Sequence, residues 1–533
     1  MTAWALIVPE CVAYAQIAGV PPQNAFYGAP VALLAYVLFG TSRFLVVGAT
    51  SAAAVLSAAT VADVSNDPKL AVALSAALAI VAGAALVVAG LARLGFLADF
   101  LSEPALLGFL FGMALTIIVR QCAKILGVSS GDGDFFERAW TLLRHADAWH
   151  GLTILVGVAA LAALFALERW VPRLPASLVV LAAGIAVSAA VGLDEHGVEI
   201  VGEIPRAVPT PGWPDISASD WIALLAGAFG LALVVFAESY SIAGRFAREH
   251  GDEVDADREM TAMGAANITA GLFKGFTVSG SASRSAAAEA SGGSSPMVSV
   301  IAAALILVTG AYLTPLFTDL PEPILGAIVI VAVRSFLKVG AMRLYWRRDK
   351  ANFAVAASAL VGVLVFDLLP GLLIAVGLSL ILFIANASRP RTAVLGRIPG
   401  TERYGDIEDQ PGATTVPGLL LVRPDGPLFF GNVARLKLAV RDLVTRADPP
   451  AERVVLNLVS SYRFGLPVLD TLEELRVELT QHGCDLHLAR VHPELREELE
   501  ASAVGKAIGP DAIHGSVGDA VAAYQRDTVW DRA

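Results

Sequence analysis

Two short stretches of the 533-residue chain set glycine, hydroxyls and a cation where an anion could be held. In the first, a β-prone Phe44–Val47 gives way to Gly48, Ala49, Thr50 and Ser51 and a run of small residues that starts a helix. In the second, Phe276–Val278 leads in the same order into Gly280, Ser281, Ser283 and Arg284. A strand that turns into a half-helix leaves unpaired backbone N–H groups and the positive end of the helix dipole at the helix start. Two such starts, the hydroxyls of Thr50, Ser51, Ser281 and Ser283, and the guanidinium of Arg284 would suit a small oxyanion or a halide. Small residues also let membrane helices pack closely, a reading that stays open for the glycines taken alone.

Two carboxylates interrupt apolar runs. Glu238 lies deep in Leu231-Ala-Leu-Val-Val-Phe-Ala-Glu-Ser, where an ionised side chain at the centre of a bilayer would cost at least about 2.5–3.5 kcal/mol. It is a candidate site for a proton or a sodium ion, with a static salt bridge to Arg284 as the plainer alternative. Glu10 follows the helix-kinking Pro9 in the first apolar run and is the second candidate. Lys274 and Arg120 sit nearer the ends of their runs and read as interfacial anchors. The three cysteines, Cys11, Cys122 and Cys484, are far apart and show no metal-ligand spacing. Neither a metal, a cofactor nor catalytic chemistry is expected.

These residues are set in a chain that is 56% hydrophobic and 16% charged, with mean hydropathy +0.66. Soluble domains carry roughly a quarter charged residues, so the chain reads as a multi-pass membrane protein with a soluble tail. A formal net charge of −11 argues against a nucleic-acid partner. Apolar runs fall near 2–18, 26–40, 44–61, 70–91, 104–126, 151–168, 175–193, 220–243, 259–273, 280–293, 296–317, 321–337, 351–367 and 370–387, fourteen in all. Loops after even-numbered runs hold Arg43, Arg93, Arg169, Arg173, Arg245, Arg248, Lys338, Arg343, Arg347, Arg348 and Lys350. Loops after odd-numbered runs hold Asp63, Asp67, Asp132, Asp134, Glu137, Asp194, Glu195, Glu199, Glu203, Asp319 and Glu322. By the positive-inside rule the basic loops, both termini and the tail face the cytoplasm. The abrupt apolar start at Met1, without a basic n-region, is expected to be the first membrane helix short of its first turns, not a removable signal. The third and tenth runs, the two interrupted ones, occupy matching places in two halves, about 1–195 and 215–388, which points to a binding site near the midplane.

At this point the residues resemble the SulP anion transporters, the sulfate permeases whose animal members form solute carrier family 26. The landmarks are Ala13-Tyr-Ala-Gln-Ile-Ala-Gly-Val-Pro-Pro-Gln-Asn-Ala-Phe-Tyr, Phe39-Gly-Thr-Ser-Arg-Phe-Leu-Val-Val-Gly, Glu238-Ser, Asn267-Ile-Thr-Ala-Gly-Leu-Phe and Ser279-Gly-Ser-Ala-Ser-Arg-Ser-Ala. The resemblance covers nearly the whole chain. It implies an inverted repeat of seven plus seven segments, with a core of segments 1–4 and 8–11 moving as an elevator against a gate of 5–7 and 12–14, in a homodimer. It also places Glu238 at an acidic position tied in relatives to proton or sodium coupling. Pro9-Glu10 stands where many members have Pro-Gln; an acid there repels an anion unless it is protonated, which suits proton-coupled symport. Gly48-Ala49-Thr50 replaces a frequent Gly-Pro.

The tail, from about 415 to 533 after an expected linker at 389–414, alternates strands and helices: Leu419-Leu-Leu-Val-Arg, a helix over 432–446, Val454-Val-Leu-Asn-Leu, a helix near 466–482 and Leu486-His-Leu-Ala-Arg-Val. It resembles the STAS domain that ends many SulP proteins. Phe464-Gly-Leu-Pro-Val stands where phosphorylated relatives have an Asp-Ser/Thr turn. Ser460 and Ser461 therefore read as turn residues, and His482, His487 and His492 as ordinary surface or turn histidines. Folding, dimer or trafficking roles are expected for the tail.

The expected function is a secondary active transporter of a small anion in the cell (inner) membrane, sulfate-like, bicarbonate or carboxylate, coupled to protons through Glu238 and Glu10. Sodium-coupled bicarbonate uptake is the alternative, and an uncoupled anion channel the next. A nucleobase permease is disfavoured by Arg284 and the STAS-like tail, and a membrane-bound regulator that binds partners through the tail ranks below it.

Overall fold

Small and apolar residues recur through the first part of the chain, and in the structure, a computed structural model, they form helices. Residues 2–530 are described, apart from 66, 97–101, 130, 132, 172–173, 207 and 367, so Asp132 and Arg173 of the loop tally lie outside the described residues. The chain divides into Met1–Leu380 and Ile381–Ala533. In order, the helical part carries α1 (Thr2–Ile17), α2 (Gln23–Phe39), β1 (Val46–Gly48), α3 (Ser51–Val64), α4 (Pro68–Leu91), α5 (Glu103–Leu126), α6 (Phe135–Arg144), α7 (Gly151–Trp170) and α8 (Ala176–Val191). There follow α9 (Ala218–His250), α10 (Ala256–Leu272), β2 (Ser279–Ser281), α11 (Ala282–Ala290), α12 (Met297–Val308), α13 (Glu322–Val333), α14 (Val339–Arg348), α15 (Lys350–Phe366) and α16 (Leu368–Ala387). Six helical stretches are long and apolar enough to cross a membrane, and six shorter apolar helices accompany them among the described residues. The short amphipathic helices α6 and α14 lie between apolar runs, in what the sequence presents as loops.

Helix ends follow local chemistry. Ser102, Ser217 and Asp255 accept first-turn N–H groups at the starts of α5, α9 and α10. Two packing groups result. In one, α4 lies along α10 with α2, α3, α9 and α12 around them. α4 and α10 cross glycine on glycine: a Cβ on Gly83 would come within 2.6 Å of the Gly264 carbonyl, and the reverse holds for Gly264. Small residues at such a crossing let backbones meet where lipid gives helices no hydrophobic reason to associate. In the other group α13 and α15 pack on α5, with α7 and α8 beside them. α1 touches both, meeting α2, α11 and α12 on one side and α8 and α13 on the other.

The second unit is built around a six-stranded sheet. After β3 (Thr392–Arg397) and β4 (Tyr404–Asp406) come β5 (Leu419–Pro424), α17 (Val433–Arg446), β6 (Arg453–Asn457), α18 (Leu466–Gln481), β7 (Asp485–Ala489), α19 (Pro493–Ala501), α20 (Ala503–Ile508), β8 (Ile513–His514) and α21 (Val517–Trp530). The order is β4-β3-β5-β6-β7-β8, parallel from β5 to β8 and antiparallel at β3. One face packs on Leu436, Val440, Leu472 and Leu499, the other on Val521 and Tyr524 of α21. Val454, Val455 and Leu456 of β6 are buried, as a parallel strand covered on both faces requires. The expected linker at 389–414 needs correction: it carries β3 and β4, which extend the sheet.

Ser460 and Ser461 fall in a turn, as expected, and Ser461 is buried, its Oγ accepting the Leu428 N–H at 3.1 Å. His482 sits just past α18, Nδ1 2.7 Å from the Glu478 carbonyl, and His492 contacts the Val459 carbonyl at 3.0 Å. His487 departs from the expectation. It lies within β7, partly buried, with Nδ1 2.9 Å from Nε2 of His514 on β8 and the two rings stacked.

Candidate functional site

The two interrupted segments meet. β1 and β2 pair antiparallel with Val46 opposite Ser281, Val47 opposite Gly280 and Gly48 opposite Ser279. α3 and α11 leave this ribbon from its opposite ends, so two half-helix starts are fixed beside one another. Side chains complete the ladder that three-residue strands cannot. The Val46 N–H donates to Ser285 Oγ at 2.9 Å, and the Gly280 N–H to Ser239 Oγ at 2.9 Å. Asn267 on α10 acts as a third strand: its Oδ1 accepts the Val278 N–H at 2.9 Å and its Nδ2 donates to the Val278 carbonyl at 3.0 Å. These bonds satisfy non-helical backbone that is buried within the protein.

The sequence-predicted residues take distinct positions around the ribbon. Thr50 Oγ1 caps α3 by accepting the Ala53 N–H at 3.3 Å, which leaves its own proton free to donate. Ala49 and Ser51 are buried. Ser281 Oγ lies 3.4 Å from the Arg284 N–H and 3.1 Å from Ser283 Oγ. Ser283 and Ala282 are exposed although Ser281 and Arg284 on either side are buried, so solvent reaches the first turn of α11. Gly48 lies under the guanidinium of Arg284; a Cβ there would come within 3.0 Å of Nη1.

Arg284 has no solvent exposure, and its Nη1 lies 3.1 Å from Glu10 Oε2. That approach is an ion pair without hydrogen-bond alignment: none of the three guanidinium nitrogens has a hydrogen-bond partner among the described residues. The group is a buried cation with donors to spare, which is what an incoming oxyanion would need. Glu238 on α9 accepts a hydrogen bond from Ser279 Oγ at 2.9 Å. The arginine's ion pair is therefore with Glu10, and the static Glu238–Arg284 bridge weighed from the sequence is not the arrangement found.

Sequence reading missed three supports. Glu259 is fully buried and accepts from Tyr36 Oη at 2.8 Å, the Thr41 N–H and Oγ1 both at 2.6 Å, and the Ser42 N–H at 3.0 Å, fixing the loop that feeds β1. Ser239 and Ser279 bridge α9 to β2 at 3.2 Å. Lys124 of α5 donates to Gln16 Oε1 at 2.7 Å and pairs with Glu322 of α13 at 3.2 Å, and this cluster, with Arg120 and Glu199, borders a 310 Å³ cavity. The polar residue next to an apolar run was visible in each case; its partner on a distant segment was not. Of the two expected anchors, Lys274 has an exposed side chain while Arg120 lines the cavity.

A helical membrane body with a glycine- and serine-lined cationic site between two half-helices, followed by a separate α/β unit, defines the class of membrane anion transporters, proteins that move a solute and catalyse no reaction. The sulfate permease family matches residues 1–359 and the STAS domain residues 410–520. The chain belongs to the sulfate permease family. It is 36% identical over 527 residues to the "Probable sulfate transporter MT1781" of Mycobacterium tuberculosis strain CDC 1551, across 99% of this chain and 94% of that one. It is 31% identical to the "High affinity sulfate transporter 1" of Stylosanthes hamata, across 98% and 82%. In fold it is similar to the murine Solute Carrier 26 family member A9 anion transporter in the inward-facing state, with a TM-score of 0.90 over 98% of this chain and 90% of that one at 21% identity.

Proposed function

We propose that this anion transporter is a proton-coupled symporter of a small oxyanion, with sulfate the first substrate to test. The names of the 36% and 31% identical relatives support sulfate. The observation that carries the coupling is the 3.1 Å contact between Glu10 and the buried Arg284. While Glu10 is ionised it holds the cation that the substrate needs. A proton on Glu10 removes the competitor, and a bound anion in turn favours the protonated acid. Proton and anion then bind with mutual cooperativity, the linkage that symport requires. The positive ends of α3 and α11, with Thr50, Ser51, Ser281 and Ser283, surround the anion with donors. Glu238, held by Ser279, is the second group that takes up a proton, or a sodium ion if sodium drives uptake.

The packing into two helix groups supports a movement of one against the other. α1 to α4 and α9 to α12 travel together as a core, and the helices built on α5 and α13 stay as the gate, in an elevator-like cycle of two inverted repeats. The Gln16–Lys124–Glu322 cluster ties core to gate on the acidic side. Both termini and the STAS domain face the cytoplasm of the cell membrane, as the basic loops direct, and two copies form the working dimer.

The test is uptake of labelled sulfate by protein reconstituted in liposomes. An inward proton gradient should accelerate accumulation, and Arg284→Ala should weaken apparent affinity roughly ten- to hundredfold, the loss of charge-assisted hydrogen bonds worth about 1.5–3 kcal/mol. Uptake driven by a sodium gradient and indifferent to protons would replace the proton with sodium. Unchanged affinity in a folded Arg284→Ala protein would remove the arginine from the site.

A further inference from the structure

The segment between α13 and α15 is apolar and basic at once, and transport as derived above uses none of it. By hydropathy Glu322–Arg348 is one long apolar stretch. The chain instead leaves α13 at Val333, turns through Arg334–Phe336, and restarts as α14, which packs on α15. α14 partly buries Ala341, Met342 and Tyr345 and leaves Val339, Leu344 and Trp346 about half exposed, at 54%, 51% and 51%. Lys338, Arg343, Arg347, Arg348 and Lys350 are all exposed. Against these five cations the span 338–350 holds one acid, Asp349, whose carboxylate is engaged by the Asn352 backbone and side-chain amides at 3.0 and 2.7 Å.

The distribution is as telling as the count. Residues three, four and seven apart share a helix face, so Val339, Arg343, Trp346 and Arg347 run along one flank. The Lys350 Nζ sits 4.0 Å over the Trp346 ring. An aromatic and aliphatic edge with cations beside it matches a helix seated in the headgroup layer, its apolar edge among the acyl chains and its stems snorkelling outward. α6 provides the contrast. Phe136, Trp140 and Leu143 form an exposed stripe at 54%, 66% and 66%, but the charges of Asp134, Glu137, Arg138 and Arg144 cancel. α6 needs only a boundary between oil and water, whereas α14 needs negative charge in that boundary.

We infer that α14, with Lys338 and Lys350, is a binding surface for anionic phospholipid. Arg343, Arg347 and Arg348 hold headgroup phosphates while Val339 and Trp346 enter the acyl edge, which anchors the helix group of α5, α13 and α15 in one leaflet. Assigning that leaflet to the cytoplasmic side rests on the topology proposed above; the lipid preference does not, because reconstituted bilayers carry anionic lipid on both sides.

The experiment uses the full chain in phosphatidylcholine bilayers containing about 30 mol % phosphatidylglycerol, with bromine on the acyl chains of one lipid or the other. The part of the tryptophan fluorescence lost in Trp346→Phe should be quenched several-fold more by brominated phosphatidylglycerol than by brominated phosphatidylcholine at equal mole fraction. That preference should fall towards unity in about 1 M salt, where charges are screened within about 3 Å, and in the triple variant Arg343→Gln, Arg347→Gln, Arg348→Gln. Equal quenching by the two lipids in the wild type overturns the proposal without recourse to any charge variant, and so does a preference that survives both salt and the triple substitution. Sulfate uptake is not read, so a failed transport assignment leaves this result standing.

Discussion

Glu10 on α1 and Arg284 on α11 face one another across 3.1 Å from the two halves of the membrane body's sequence. The arginine was legible in the sequence because it follows a glycine- and serine-rich strand-to-helix start that has a counterpart at Gly48–Ser51. Its partner was not, because an ion pair between remote segments leaves no spacing to read. Glu238 was the partner weighed as an alternative on sequence grounds, but its carboxylate accepts from Ser279. Gly48 is set close beneath the guanidinium, and Gly48→Ala puts a methyl 3.0 Å from Nη1. The arginine must give way by a few tenths of an ångström, so sulfate KM should rise a few-fold while the melting temperature in detergent stays near wild type. A KM unchanged in both Gly48→Ala and the bulkier Gly48→Val would show that the arginine's position does not set affinity.

At the scale of elements, the short ribbon depends on side chains that imitate backbone. Asn267 supplies both partners of Val278, and Asn267→Ala leaves a buried N–H and carbonyl unpaired. Each unsatisfied group costs about 1–3 kcal/mol, so the thermal midpoint of the membrane unit should fall clearly and sulfate binding should weaken with it, measured by intrinsic fluorescence on heating and by uptake. A melting curve that matches wild type would mean the ribbon is held by something else. The strands were readable because the pattern occurs twice, although the second forms at Ser279–Ser281, just after the expected Phe276–Val278; Asn267 appeared only as part of a family landmark, since an asparagine in a helix carries no mark of which backbone it will clip. α6 and α14 escaped notice because short amphipathic helices interrupted by charge look like loops when only apolar runs are counted.

Over the whole molecule, composition separated membrane body from tail, and helix-strand alternation defined most of the tail. The boundary region went wrong at Thr392–Arg397, where a short strand directly follows the charged Ser388-Arg-Pro-Arg and earns its place only by pairing with β5. The tail also holds a pH-dependent element. Burial, the Arg453 charge and the neighbouring His514 push His487 from 6.5 down to about 4, and burial and Arg453 lower His514 as well. The folded tail keeps His487 neutral, whereas the unfolded chain protonates it near 6.5. Stability from this pair is complete above that value and is lost as pH falls towards 4. Hydrogen exchange at β7 and β8, corrected for intrinsic rate, should speed up between pH 7 and 5, and His487→Gln should flatten that change. A wild-type profile that is flat over the same range would remove the pair as its source.

The coupling itself is tested most directly by following protons and sulfate together in the same proteoliposomes. Sulfate added outside should draw protons inward with the wild type, and Glu10→Gln, which leaves Arg284 permanently free of its competing carboxylate, should carry sulfate with proton entry reduced and with uptake nearly independent of pH. Proton entry per sulfate that is the same in Glu10→Gln as in the wild type would contradict the role given to the Glu10–Arg284 pair.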